Sequence, residues 1–524
     1  MKRGKRILTI LLTLCVAFMM MPLAGIEGMT AYAAAGKGAE GEYLDIPNKF
    51  DKEIDISKVS GDIVIKDSKT YRIYSSEKKT VNHKIKIQKP TLKNIEPHVF
   101  IDGISIDMDA GSKCPAIEIN NKASAYLYFY GGKSDLRGAD YRAAIQKNRS
   151  ENNLHILVAG GTGLYCYGGL YAAGIGGSAD RNTNWYNIDM YGHGVRLYFG
   201  SSEKNTKWNG EIRATGGKNG AGIGGGYAGD ASNIRIEGNA DVAAFGDSGA
   251  AIGSGYHATG NSDITITDHA TVEAASEEGC GIGHGQDASG KVTITISGDA
   301  SVNAQTENPP AAIGSDKSSA TVNIEDHADV TAVGHGVAIG TGYAFEGTST
   351  VINITGGTVN AVTRDESKPA IGTVRGNLDL TINSSTGKTT VNAYTTSSDP
   401  LSLNIGTGHY DDSAHKYRTS PSEGAEYNED GSSHLGEDNA AIINFYRNTP
   451  LGIDKYKAPK TLDSGAFHAT YEAYGTLYNA QHPLSDKDKG DLYKVVHNRT
   501  YMEEHPEEIV DITKLKDEDL HDWQ

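Results

Sequence analysis

The sequence predicts an all-β protein built as a three-sided parallel β-solenoid, a right-handed β-helix of about 9–10 rungs, with an N-terminal cap and a small C-terminal region. Three observations predict it. A marker of the form Ala-x-Ile-Gly returns about every 30 residues, as in Ala251-Ile252-Gly253. After each marker come an apolar-x-Ile segment and a Val-x-Ala segment, both alternating at period two, as in Ile264-Thr265-Ile266 and Val272-Glu273-Ala274. The joints between segments are rich in Gly and Asp, residues that accept left-handed backbone and bond locally to it. No such unit can bury its apolar face alone, so units must stack, each strand lying about 4.8 Å from its parallel neighbour. A β-propeller is the competing repeat architecture, but its blades take about 40 residues and four strands.

From the N-terminus, residues 1–34 predict a secretory leader. Lys2, Arg3, Lys5 and Arg6 precede an apolar run from Ile7 to about Leu23, and Ala31-Tyr32-Ala33 forms a small-residue cleavage site. Residues 35–94 hold alternating strands such as His83-Lys-Ile-Lys-Ile87 and are expected to cap the coil, because an uncovered solenoid end polymerises. Residues 95–405 form the rungs. From Ile117 the marker isoleucines are spaced 28, 30, 48, 29, 30, 31, 26 and 32 residues apart, and the single 48 predicts an insertion of 18 residues at about 178–210. Residues 406–524 depart from the repeat and are expected to form a capping or accessory region with an acidic tail.

Composition narrows the function. The formal charge of −17 argues against nucleic acid, since phosphate contacts need a basic surface. Cys114, Cys166 and Cys280 lie far apart and are read as buried free thiols, not a disulfide framework or a zinc site. The chain is expected to be exported, either released or held non-covalently at a Gram-positive-type surface, monomeric, with no membrane insertion after leader removal and no cofactor or metal.

The glycine loops IGGG, IGSG and IGTG run into strands, not helices, so they read as corners and not as phosphate cradles. Gly-His-Gly occurs at 192–194, 283–285 and 334–336, the last two at what read as related corners, yet no carboxylate grouping departs from the repeat to accompany them. Asp268, Asp299 and Asp326 recur at one corner and read as solvated turn residues, with calcium binding the alternative. His269 and His327 recur there too and belong to the repeat.

Aromatic residues carry the binding signal. From 165 to 208 there are 9 in 44 residues, against 8% overall. Tyr165, Tyr167, Tyr171, Trp185, Tyr186, Tyr191, Tyr198 and Trp208 are the candidate ligand-binding residues of this block; the alternative is that they pack the insertion onto the rod. Tyr126, Tyr128, Phe129, Tyr130 and Tyr141 precede it. Tyr227, Tyr256 and Tyr343 each fall four residues after a marker isoleucine and are expected to line one edge, where corner length varies most.

The segments AGIGGG (Ala221 to Gly226), AAIGSG (Ala250 to Gly255) and VAIGTG (Val337 to Gly342), alternating with VTITISGDASVNA-type segments, resemble exported β-helix repeat proteins of the carbohydrate-binding-domain type from Gram-positive gut bacteria. That resemblance, over about residues 50–405, implies an adhesin-like surface protein with a host glycoprotein, immunoglobulin or glycan as partner; no enzyme activity is expected, because no catalytic carboxylate motif accompanies the repeat. A β-helix polysaccharide lyase or glycoside hydrolase, and a purely structural surface component, stand as alternatives.

Overall fold

Isoleucine stands over isoleucine along one side of the molecule. The computed structural model describes residue 43 and residues 45–447, with breaks at 91–92, 109–111, 113, 121–122, 148–151, 180–192, 202–205, 344–347, 366–367, 375–376, 396–404, 412–415 and 421–440, together with 451–452 and 472–473. Within it the marker residues align in register from Ile63 and Ile85 through Ile117, Ile145, Ile175, Ile223, Ile252, Ile282, Ile313, Ile339 and Ile371 to Ile405. All are buried.

Three parallel sheets enclose this column. The first holds the marker strands, such as Ile252–Gly253; the second the apolar-x-Ile strands, such as Ser262–Ile266; the third the Val-x-Ala strands, such as Thr271–Ser276. The chain visits them in that order and then climbs one rung, giving a right-handed β-solenoid. Inward positions of the second sheet stack as Ile236, Ile266, Ile296, Ile324, Ile354 and Ile382. Those of the third stack as Val242, Val272, Val302, Val330, Val359 and Val391. Burying each such side chain contributes about 1.5–3 kcal/mol, which offsets the chain entropy that corners alone do not recover.

The coil runs past the repeat at both ends. Lys52–Asp55, Ile63–Ile65 and Thr80–Val81 already pair in parallel with the three sheets, so rungs extend into the stretch read as the N-terminal cap. Beyond the repeat, Ile442–Arg447 pairs in parallel with Thr389–Thr395, and Lys416–Ser420 folds back antiparallel on Ile405–Asp411.

The 18-residue excess divides between two connections and is not one block. Seventeen residues (177–193) link the first sheet to the second where the next rung uses six (225–230), and eleven (200–210) link the second to the third where the next rung uses four (237–240). Between them Gly194–Phe199 is a strand of the second sheet, interrupted at Arg196, where φ is 55° and the pairing with the next rung skips to Leu197. Length is added at corners because an extra residue inside a strand would turn every inward side chain outward.

Asp268 and Asp326 share one corner position as expected, but Asp299 stands one residue further on, in the column of His269 and His327, because Gly298 takes the left-handed position in its rung. Gly238, Asp268, Gly298 and Asp326 succeed one another at the turn from the second sheet to the third, all with φ between 61° and 68°. Asp268 accepts the backbone N–H of Gly238 at 2.9 Å, and Asp326 that of Gly298 at 3.0 Å, so these carboxylates tie rung to rung. Asp299 lies 3.4 Å from His269 and 3.5 Å from His327. Cys166 and Cys280 are buried free thiols; Cys114 is half-buried, 3.9 Å from Lys84 Nζ.

The marker glycines are fixed by backbone contact. Gly176, Gly224, Gly253, Gly283, Gly314, Gly340, Gly372 and Gly406 have φ between 129° and 146°. A Cβ on any of them from Gly176 to Gly372 would overlap the carbonyl oxygen of the next glycine in the column. Replacing Gly283 by Ala should therefore lower stability by more than about 3 kcal/mol in urea unfolding, whereas Thr265→Ala, on the outer face of the second sheet, should cost no more than about 1 kcal/mol.

Candidate functional site

The two-residue marker strands are roofed. At Ile145, Ile175, Ile223 and Ile252 the corner before the marker and the corner after the next meet across the outside of the first sheet and are stitched by backbone hydrogen bonds: Ala179 N–H to Tyr141 C=O at 3.0 Å, Tyr227 to Tyr171 at 2.8 Å, Tyr256 to Asn219 at 3.0 Å and Gln286 to Ser248 at 2.8 Å. Small residues such as Ala221, Ala250 and Cys280 are buried near this roof, ahead of their markers. The roof leaves a seam running parallel to the coil axis.

Aromatic rings follow that seam. Tyr141 stacks on Tyr171 at 5.5 Å and 27°; Tyr171 meets Tyr227 edge-on at 5.8 Å; Tyr227 meets Tyr256 at 5.9 Å; His257 lies against Tyr256 at 3.9 Å. All four tyrosines are half-buried and His257 is exposed. Tyr141 and Tyr171 both have φ 67°, and His257 has φ 60°. Left-handed backbone disfavours a bulky side chain by about 1–2 kcal/mol. Asn219, four residues ahead of its marker as Tyr141 and Tyr171 are, takes the same conformation with a residue suited to it. Edge and stacking contacts of about 0.5–1.5 kcal/mol per ring pair offset the cost.

Past Tyr256 the seam turns polar. Asp287 pairs with Lys317, and the Tyr256 hydroxyl is pushed up by loss of solvation and by Asp287. Asp316 is buried, accepts the backbone N–H of Asp287 at 3.0 Å, and its carboxyl is raised chiefly by burial. Tyr343 stands two rungs beyond Asp287, 37% exposed, with Lys368 over its ring at 4.7 Å and Asp365 3.2 Å from that lysine.

The remaining expected site residues are elsewhere. Tyr165 and Tyr167 lie on the outer face of the third sheet, under Lys133 at 3.9 Å and Arg137 at 4.2 Å. Tyr165 O–H donates to Glu211 at 2.7 Å, and burial followed by that bond pushes it up to about 12. Tyr198 ends a column on the outer face of the second sheet, His98–Tyr126–His155–Tyr198, stacked at 4.7, 4.3 and 4.7 Å. Trp208 is 2% exposed and lies 5.2 Å from Tyr128, so it packs the second inserted loop onto the sheet and offers no open contact face. Trp185, Tyr186 and Tyr191 lie outside the described residues. Sequence reading therefore gathered Tyr227 and Tyr256 on one edge, but it did not connect Tyr141 or Tyr171 to them.

The three Gly-His-Gly histidines do not converge on one environment. His193 lies 2.9 Å from Asp230. His284 is fully buried after its marker, with Nδ1 2.9 Å from the Ser318 hydroxyl, whereas His335 is exposed at the corner before its marker, so the last two are not equivalent. A carboxylate grouping does depart from the repeat: Glu211, Asp241 and Glu273 lie on successive rungs of the third sheet's outer face, with Arg213 paired to Glu211. Desolvation, reinforced by Asp241, pushes Glu273 up to about 7. Among the described residues no group of three or more His, Cys, Asp or Glu is arranged to hold a metal ion, and no helix is long and apolar enough to cross a membrane.

Comparison with protein-family models, with curated proteins and with solved structures returned no match. The fold itself defines the class, a right-handed parallel β-solenoid, an architecture compatible both with carbohydrate binding and with β-helix enzymes.

Burial lowers His155 and His284 from the ordinary 6.5 to about 4. Between those values the unfolded chain binds protons that the folded chain refuses, so stability is lost as pH falls from about 6.5 towards 4, by about 1.4 kcal/mol per pH unit for each ring. His284→Ser, matching Ser254 and Ser315 in the same stack, should remove one histidine's share of that slope in urea midpoints measured from pH 7 to 4.5.

Proposed function

We propose that this chain is an exported, adhesin-like β-solenoid that binds a host or environmental glycan or glycoprotein, immunoglobulin among the candidates, through the tyrosine seam. The leader-like N-terminus and the resemblance to exported repeat proteins support placement outside the cell, released or held non-covalently at a Gram-positive-type surface. The observation that carries the binding reading is the row Tyr141, Tyr171, Tyr227 and Tyr256, fixed on a backbone-stitched seam, with two of its members kept in left-handed backbone. Rigid, half-exposed tyrosines give a ligand large contact area at little cost in side-chain entropy. No reacting group is needed in this reading.

One observation favours a second reading, a β-helix glycoside hydrolase. Glu273, with its carboxyl raised, and Glu211, which accepts from Tyr165 and pairs with Arg213, are the two carboxyl groups on this face that acid–base hydrolysis would use. New reducing ends from a polysaccharide panel, abolished by Glu273→Gln, would establish it.

For the binding reading, Tyr171→Asn relieves left-handed backbone while removing two ring contacts. Stability should stay within about 1 kcal/mol of the parent by urea unfolding. Retention on mucin or immunoglobulin columns should fall to background for Tyr171→Asn combined with Tyr256→Ala; full retention would refute the seam as the site.

A further inference from the structure

The geometry of the seam selects among ligands, granted the reading that the seam binds. Tyr171 and Tyr256 flank Tyr227, with ring centres 5.8 and 5.9 Å from it. Tyr171 precedes marker Ile175 and Tyr256 follows marker Ile252, two rungs on, or about 9.6 Å along the axis. A polyproline II helix completes three residues in about 9.3 Å. An extended strand repeats its side chains every two residues, about 6.7 Å, which matches neither one rung nor two.

Ring orientation points the same way. Tyr141 and Tyr171, 27° apart at 5.5 Å, each cover one face of the other. A sugar stacks on a ring face, whereas a proline-rich helix packs into the grooves between rings and uses their hydroxyls. A polyproline II backbone makes no internal hydrogen bonds, so its carbonyls accept from a donor such as Tyr171 O–H. Charge agrees as well. Asp287 with Lys317, and Asp365 with Lys368, are paired within the seam, and the chain carries −17 overall. An uncharged ligand breaks no ion pair there and meets no repulsion.

We propose that the tyrosine seam is a docking groove for a proline-rich polypeptide in the polyproline II conformation, lying parallel to the coil axis with three ligand residues to every two rungs. The ligand's stiffness lowers the entropy of docking, and its three-residue repeat keeps successive contacts in register with the coil.

The test is calorimetric titration of the full-length chain with three probes: dodecaproline, a Gly-Ser dodecapeptide and a linear β-1,4-linked glucose hexasaccharide. Dodecaproline alone should bind saturably. Tyr171→Ala and Tyr256→Ala should each weaken it about tenfold or more, and Tyr171→Phe, which keeps the ring and loses the donor, about threefold, all with unchanged far-UV β signal. Absence of dodecaproline binding, or equal binding of the Gly-Ser peptide, overturns the proposal. Hexasaccharide binding that the seam substitutions abolish, without dodecaproline binding, overturns it while leaving the seam as the binding site. Dodecaproline binding indifferent to both alanine substitutions overturns this proposal, while the seam reading stands or falls by the mucin and immunoglobulin retention of the seam variants.

Discussion

Neighbouring rungs approach so closely at the marker glycines that no side chain fits between them. From Gly176 to Gly406 the carbonyl oxygen of one rung fills the space a Cβ would need on the rung before. The backbone answers with φ near 135°, open to glycine alone. That contact lets the corners on either side of a two-residue strand close over it and bond to each other. The roof, the buried small residues near it and the seam along its crest all depend on it. A glycine loop that looks like a place for a ligand is here the joint that holds the coil to its pitch.

The rungs were legible because inward residues must repeat. Ile over Ile and Val over Val need the same residue type at the same interval, and periods near 30 with three segments admit few architectures. The same logic reached too short a distance at the N-terminus. Ile63–Ile65 joins the first sheet without the Ile-Gly marker, since Val64, Lys86, Glu118 and Gln146 hold the glycine position in the early rungs. The 18-residue excess was legible as a length but not as two loops, because marker spacing adds both corners together.

The seam was only half legible, for a geometric reason. Tyr227 and Tyr256 share an offset from their markers and stand out together. Tyr171 approaches from the corner before its marker and meets Tyr227 across 56 residues of chain, a contact created by the roof's hydrogen bonds and not by the repeat. The His98–Tyr126–His155–Tyr198 column is hidden similarly, one ring per rung at outward positions that no inward periodicity constrains. Glu211, Asp241 and Glu273 escaped notice because carboxylates about 30 residues apart in sequence look unrelated until rungs set Glu211 beside Asp241 and Glu273 on the same face one rung on.

The rung-to-rung hydrogen bonds, including those of Asp268 and Asp326, point along the coil axis. Under tension applied along that axis, the ladders between rungs are loaded one after another instead of sharing the load in shear. The coil then yields turn by turn from an end, each turn releasing roughly thirty residues of slack. A molecule tethered by one end and gripped at its side by a ligand would behave as an extensible line, absorbing force by lengthening while the rungs beneath the seam keep their shape.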